Sequence, residues 1–198
     1  MNLARSVTYG GKMYQQTSRK NKTNIFVREC ITQSLFKLLE KKDFECISIT
    51  DIITKAGVSR MGFYRNYSSK EDVIESYILD LFVQTVDEIQ RERALSFKVK
   101  NIMVTTLETF KKYSDQIKLF LDRNLDWLLF RCYSKAFDFL AQNKKPSRVR
   151  EYSNQMFVGE LFNFEMSWLR NGMKETPEQM ARIYYYILQR RLNIKNFI

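Results

Sequence analysis

The residues best suited to chemistry lie between positions 48 and 70, where tyrosine and arginine alternate at Tyr64, Arg65 and Tyr67 and Lys70 follows. The charge of the chain agrees with this cluster. Residues 1–70 hold 13 Lys or Arg against 5 Asp or Glu, a net charge of +8, whereas the rest of the chain adds only +3 to the total of +11. A basic region of this kind suits a polyanion, either nucleic acid or an acidic membrane surface. Nucleic acid is favoured, because the charge accompanies helix caps and aromatic residues.

The sequence offers little for catalysis. Histidine is absent, and no nucleophile elbow, phosphate-binding loop or dinucleotide-binding glycine motif occurs. Its three cysteines follow no zinc-binding spacing. We therefore expect a protein that is not an enzyme and that needs no metal or cofactor, although chemistry by carboxylates alone stays open. Neither a membrane span nor a signal peptide is predicted, so we expect a cytoplasmic location without membrane contact.

Two short helices are predicted within residues 48–67. Ser48 precedes Asp51 by three residues, a spacing that resembles a capping box and begins the first helix. Gly57 suits the end of that helix, and Ser59 suits the start of the next, over residues 60–66. The pattern predicts a helix-turn-helix, preceded by an amphipathic helix over about residues 24–41.

The rest of the chain also has helical periodicity. We predict a long helix from Lys70 to near residue 93, another over residues 96–113, and two within residues 117–142 that are broken near Arg123 and Asn124. Further helices span residues 149–171 and begin at Pro177. The fold class is therefore all-α, with a three-helix N-terminal domain over residues 22–70 and a larger helical bundle over residues 71–198. We expect residues 1–21 to be a disordered basic arm, either inert or adding phosphate contacts.

The order of residues 48–73 resembles the DNA-binding signature of the TetR family of transcriptional regulators. A capping serine, an apolar pair, Ala-Gly-Val-Ser at 56–59, a tyrosine five residues later, an aromatic residue three beyond and then a lysine occur in the family's order. The resemblance covers about residues 24–80. It implies that the second short helix enters the major groove of double-stranded DNA and that a two-fold homodimer reads a pseudopalindromic operator.

The resemblance implies a set of DNA contacts. Arg60 is the candidate for reading guanine, and Met61 for packing on thymine methyl groups. The predicted DNA-binding residues are Ser48, Thr50, Ser59, Arg60, Met61, Gly62, Tyr64, Arg65, Tyr67 and Lys70. Ser48 and Ser59 could instead serve only as caps, and Arg60 could be a solvated charge.

The sequence departs from the family's usual signature in two places: Gly-Thr is common where this chain has Met61-Gly62, and Phe is common at the position of Tyr67, which is a mild change. Gly62 lowers helix propensity by about 1 kcal/mol and removes a hydroxyl that could touch DNA. It could equally let the backbone approach the groove closely. An adaptor or co-activator that acts mainly through a protein partner is therefore the alternative to a DNA-binding repressor.

The resemblance further implies that the helical body binds a small-molecule effector and forms the dimer. The aromatic residues expected at a ligand pocket are Phe110, Tyr113, Phe120, Trp127, Phe130, Phe137, Phe157 and Trp168. The residues expected at the dimer interface are Met156, Leu161, Phe164, Ile183 and Ile187. Some of either set could be plain core, and no acid or base stands out as a partner for the effector.

Overall fold

The computed structural model describes residues 19–93, 99–141 and 147–192. Its α-helices are α1 (Arg19–Leu39), α2 (Ile49–Ala56), α3 (Arg60–Tyr64), α4 (Lys70–Arg93), α5 (Val99–Lys112), α6 (Ser114–Asp122), α7 (Asp126–Ala141), α8 (Arg148–Arg170) and α9 (Pro177–Leu192). A short 3-10 turn spans Phe44–Cys46. No strand occurs within these ranges, which confirms the predicted all-α class.

The chain divides into two compact units, residues 1–70 and residues 71–198. In the first unit, α1 packs against α2 and α3. Their apolar faces bury Ile31, Leu35, Ile52 and Phe63 away from water. This core holds the two short helices in place, because a helix of five or eight residues is too short to be stable alone.

Helix α1 begins at Arg19, inside the segment of residues 1–21 that we expected to be disordered. That boundary was wrong by three residues. Arg19 and Lys20 belong to residue types with good helix propensity, so the helix extends beyond the first apolar residue that periodicity can detect. The remainder of the predicted arm, residues 1–18, lies outside the described residues.

In the second unit, α5 packs against α9 and α7 packs against α8. The break predicted near residues 123–124 is confirmed, since α6 ends at Asp122 and α7 begins at Asp126. Asn124 takes a positive φ of 56° there, a conformation that asparagine tolerates better than most residues. Pro177 opens α9 as predicted, and Gly172 has a φ of 78° just beyond the end of α8.

None of the described helices is both long enough and apolar enough to cross a bilayer. Within the same residues, no group of three or more cysteine, aspartate or glutamate side chains is arranged to hold a metal ion.

Candidate nucleic-acid interface and ligand cavity

Helix α2 begins with a complete capping box. The Ser48 hydroxyl accepts a hydrogen bond from the Asp51 amide at 3.1 Å, and the Asp51 carboxylate accepts one from the Ser48 amide at 2.9 Å. The same carboxylate accepts a bond from the Ser48 hydroxyl, and the hydrogen bonds from Ser48 lower the pKa of Asp51. Ser48 and Thr50 are both exposed, so the cap and the following turn face solvent.

A tight turn then sets the direction of α3. Gly57 ends α2 with a φ of 65°, the left-handed conformation that glycine adopts at least cost. Ser59 caps α3, and its hydroxyl accepts a bond from the Gly62 amide at 3.0 Å. A Cβ atom at Gly62 would lie 3.3 Å from that hydroxyl, so the glycine gives the capping serine room.

The outer face of α3 combines charged and apolar groups. Met61 is 65% exposed and Tyr64 is 49% exposed, with Arg60 exposed beside them. Phe63 on the opposite face is fully buried, so α3 is anchored by one side and presents the other. Arg65 is also exposed and donates a hydrogen bond to the Met61 sulfur at 3.2 Å.

Seven of the ten residues predicted to touch DNA are exposed in α2, in α3 or at the ends of these two helices. They are Ser48, Thr50, Ser59, Arg60, Met61, Tyr64 and Arg65. Gly62 is half-buried, and only its backbone is available for a close approach.

Tyr67 does not belong to this surface, although we predicted a phosphate contact for it. It is 3% exposed and packs beside Phe63, with ring centroids 6.0 Å apart. The Arg28 guanidinium lies 5.2 Å from its ring centre, and its hydroxyl lies 3.4 Å from that of Thr32. The prediction was wrong because a tyrosine can serve as core residue and hydrogen-bonding group at once.

Lys70 was likewise expected to bind phosphate, and the structure gives it another role. Its ammonium group donates hydrogen bonds to the carbonyl oxygens of Phe44 at 2.6 Å and Ile47 at 2.9 Å, and lies 3.5 Å from that of Glu45. It also lies 4.3 Å from the centre of the Phe44 ring. An ammonium group has three protons, so these carbonyls use all of its donors. Lys70 is therefore a structural anchor for the segment that leads into α2.

The second unit encloses a cavity of about 190 Å3. Five of the aromatic residues predicted at a ligand pocket line it: Phe110, Tyr113, Phe120, Phe137 and Phe157. Three further aromatic residues, Tyr77, Phe82 and Tyr133, complete its wall. A mostly apolar cavity with few polar groups is the usual form of a small-molecule site in a helical protein.

Three other predicted pocket residues lie elsewhere. Trp127 and Phe130 are exposed on the outside of α7, where Arg131 lies over the Trp127 ring. Trp168 is buried behind the cavity and stacks on Phe110 with ring centroids 6.2 Å apart. Aromatic content alone cannot say which side of a helix faces a cavity, so these assignments were wrong.

The cavity also contains an acid that the sequence reading missed. Glu165 is 1% exposed, lines the cavity, and accepts a hydrogen bond from the Tyr133 hydroxyl. Its other oxygen, Oε1, has no hydrogen-bond partner among the described residues. Burial raises the pKa of Glu165 from 4.5 to about 8, against the opposing effect of the Tyr133 hydrogen bond. A signal existed in the sequence, since Glu165 follows Leu161 by four residues and precedes Trp168 by three, within an apolar stripe.

A second buried acid, Glu75 on α4, is paired. It accepts hydrogen bonds from Arg131 and, at 2.6 Å, from Lys135, both on α7. This cluster connects α4 to α7 within the second unit. Its two basic residues, Arg131 and Lys135, lie two residues before and two residues after Tyr133, which lines the cavity.

The residues predicted at a dimer interface are divided between surface and core. Met156 is 75% exposed and Ile183 is exposed, whereas Ile187 is half-buried. Leu161 is 2% exposed and lines the cavity, so it cannot contact a second chain and its assignment was wrong. Phe164 packs edge-on against Tyr184, with ring centroids 5.3 Å apart, and so connects α8 to α9.

Two sequence-family profiles match parts of the chain. Residues 31–77 match the profile described as bacterial regulatory proteins of the tetR family. Residues 98–190 match a profile described as a transcriptional regulator C-terminal region. The first match contains the capped helices and the exposed face of α3, and the second contains most of the cavity wall.

Individual relatives agree with this result. The chain is 25% identical over 87 residues to the HTH-type transcriptional regulator AlkX of Mycobacterium tuberculosis, covering 44% of this chain and 40% of that protein. It is 34% identical over 62 residues to the HTH-type transcriptional regulator YvdT of Bacillus subtilis, covering 31% of this chain and 32% of that protein. These alignments thus span well under half of either relative.

A solved structure supports the fold over nearly the whole chain. The Lin0861 protein of Listeria innocua superposes with a TM-score of 0.71 at 17% identity, covering 88% of this chain and 94% of that one. At this level of identity the likeness shows the all-helical two-part fold.

Substituting Lys70 by Met tests its role as an anchor. Methionine keeps most of the apolar stem but removes the ammonium donor from the carbonyl oxygens of Phe44 and Ile47, of which Phe44 keeps its bond from the Ile47 amide. We expect the free energy of unfolding to fall by about 2 kcal/mol in urea titrations followed by circular dichroism. The dependence of double-stranded DNA binding on salt should keep its slope, because no phosphate contact is lost. If stability is unchanged and the slope of log affinity against log salt concentration falls by about one, Lys70 instead contacts a phosphate group.

Substituting Glu165 by Gln tests the buried carboxyl group. Above pH 4.5 the unfolded chain releases this proton while the folded chain retains it until about pH 8. The wild-type free energy of unfolding therefore decreases as pH rises through that window, by about 3–5 kcal/mol, and the glutamine variant lacks this decrease. We expect the variant to unfold at increasingly higher urea concentration than wild type between pH 5 and pH 8.5. Parallel stability curves for the two proteins would contradict this account of Glu165.

Proposed function

The chain belongs to the TetR family of bacterial transcriptional regulators, and we propose that it is a dimeric repressor released from DNA by a small-molecule effector. Its target would be a pseudopalindromic operator, with one half-site read by each copy of α3. Such a protein would act in the cytoplasm, where the bacterial chromosome lies.

The outer face of α3 is the observation that carries this proposal. A methionine and a tyrosine exposed beside Arg60, on a helix anchored by a fully buried phenylalanine, suit the floor of a major groove. Arg60 stands at the first position of the helix, where a side chain can reach base edges. Its guanidinium fork matches the two acceptors of guanine, and the Met61 side chain suits a thymine methyl group.

The surroundings of α3 suit the DNA backbone. Ser48 and Thr50 are exposed at the start of α2, and Ser59 is exposed at the start of α3. Hydroxyl groups and backbone amides at such positions commonly contact phosphates and fix the register of the protein on the duplex. The net charge of +8 over residues 1–70 supports association with DNA at low salt.

An apolar stripe on α8 supports dimerisation. Val149, Tyr152 and Met156 follow one another at spacings of three and four residues, which places them on one face of the helix. They are between 64% and 76% exposed in the single chain. Ile183 and Tyr186 add exposed apolar area on α9. We propose that a second copy of this chain covers these residues in a two-fold interface.

Helix α4 supports a route for regulation. It begins at Lys70, which anchors the segment before α2, and its later residues Tyr77, Ile78 and Leu81 line the cavity. A ligand that favours one position of these residues would shift the population of α4 positions and change the affinity for DNA.

Alanine substitutions on α3 test the proposal. We expect Arg60→Ala to weaken binding to a DNA fragment from upstream of the chain's own gene by about 1–3 kcal/mol and to relax base preference at one position. Tyr64→Ala should weaken binding to all sequences alike, because its hydroxyl is expected to contact phosphate. Gel retardation and sedimentation together measure the affinity and check that the dimer persists.

Tyr67→Phe is the matched control, since it removes a tyrosine hydroxyl from the same segment at a buried position. It should retain wild-type DNA affinity. Unchanged affinity in both alanine variants would refute the assignment of α3. Retardation of DNA only when a second protein is present would instead favour an adaptor.

A further inference from the structure

The polar atoms of the cavity in the second unit point to a particular class of ligand. We propose that this cavity binds a small lipophilic organic cation, an ammonium group carrying about one aromatic ring, with its charge beside Glu165. The proposal rests on the proposed function only in taking this ligand as the effector, because the binding itself needs no DNA.

The first argument concerns hydrogen bonding. Thr85 donates its proton to the carbonyl oxygen of Leu81 and Thr106 donates to that of Ile102, both at 2.8 Å. Tyr133 donates to Glu165. Thr85, Thr106 and Tyr133 line the cavity, and their hydroxyl groups, whose protons are already used, can only accept hydrogen bonds from a ligand. The Oε1 atom of Glu165 is buried and has no partner among the described residues.

The second argument concerns charge. Among the described residues that line the cavity there is no lysine or arginine, so none of them gives the Glu165 carboxylate a counter-ion. Arg131 and Lys135, on the same helix as Tyr133, pair with Glu75 instead. A buried carboxylate without a cation is costly, and burial accordingly raises the pKa of Glu165. A cationic ligand would supply the missing charge, whereas a carboxylate or phosphate ligand would bring a second acidic group beside Glu165.

The third argument concerns the aromatic wall. Tyr77, Phe82, Phe110 and Phe120 line the same cavity as Glu165. The faces of aromatic rings attract cations, most strongly where water is excluded, and quaternary ammonium groups are commonly bound by such walls. Rings and carboxylate together therefore favour an ammonium group over a neutral ligand of the same shape.

The size of the cavity limits the ligand. Its volume of about 190 Å3 exceeds the roughly 150 Å3 of an engineered protein cavity that accepts benzene. One aromatic ring with a small substituted ammonium group fits this range. Benzylammonium, whose nitrogen carries three protons to donate, is a suitable probe, and ethylbenzene is its neutral isostere, with a methyl group in place of the ammonium group.

Tryptophan fluorescence offers a direct measurement. Trp168 stacks on Phe110, which lines the cavity, and the other tryptophan of the chain, Trp127, is exposed on the outside of α7. A Trp127→Phe variant therefore leaves Trp168 as the reporter next to the cavity. Titration of this otherwise full-length protein without DNA, confirmed by calorimetry, gives the affinity of each probe.

We expect the cation to bind at least about tenfold more tightly than its neutral isostere. Glu165→Gln should remove this preference by weakening the cation alone. Glu151→Gln, which removes an exposed acid from the same helix, should leave both affinities unchanged. Equal or tighter binding of the neutral isostere, binding of neither probe, or an unchanged preference in Glu165→Gln would each overturn the proposal.

The proposed function is tested separately by gel retardation. Loss of cation binding with DNA retardation intact would refute only the ligand class. Cation binding with no retardation of any DNA would refute only the repressor.

Discussion

The ammonium group of Lys70 holds together the part of the chain that presents α3. It binds carbonyl oxygens of the segment 44–47, and the next residue, Ser48, begins α2 with its capping box. Helix α2 leads through Gly57 to α3, so the position of the exposed face depends on where this segment is fixed. The Ile47 amide also donates to the Phe44 carbonyl within the 3-10 turn, and the Lys70 ammonium group adds donors for this carbonyl and for that of Ile47, so one side chain fixes both ends of the segment.

The second unit contains the opposite situation, a polar group that its surroundings leave only partly satisfied. Glu165 receives one hydrogen bond from Tyr133 in a wall of apolar and aromatic residues, and burial raises its pKa to about 8. Glutamine or leucine at this position would avoid the cost of a buried carboxyl group. Locally unfavourable groups of this kind are concentrated at functional sites, and this supports the proposal that the cavity binds a ligand.

The sequence predicted local structure correctly where a residue acts on backbone groups close to it in the chain. The caps at Ser48 and Ser59, the stop at Gly57, the break near Asn124 and the start at Pro177 are all local, and the structure has each of them. Their hydrogen bonds span three or four residues, so the spacing of residue types is enough to predict them.

The sequence did not predict which side chains are buried, exposed or at the cavity, because this depends on packing between segments that are distant in the chain. Tyr67 and Lys70 belong to a basic, aromatic stretch that looks like surface, yet one is core and the other binds carbonyls more than twenty residues away. On α8, Met156 and Leu161 are both apolar, but one is exposed and the other lines the cavity. A helix with apolar residues on several faces gives no periodicity that would separate core, cavity and dimer surface.

A genome-wide map of the DNA bound by this chain in cells would test the central claim most directly, that two copies of α3 read DNA with two-fold symmetry. The account predicts a small set of sites that share an inverted repeat, with half-sites whose centres lie about one helical turn, ~34 Å, apart. The absence of enriched sites, or enriched sites without an inverted repeat, would contradict it.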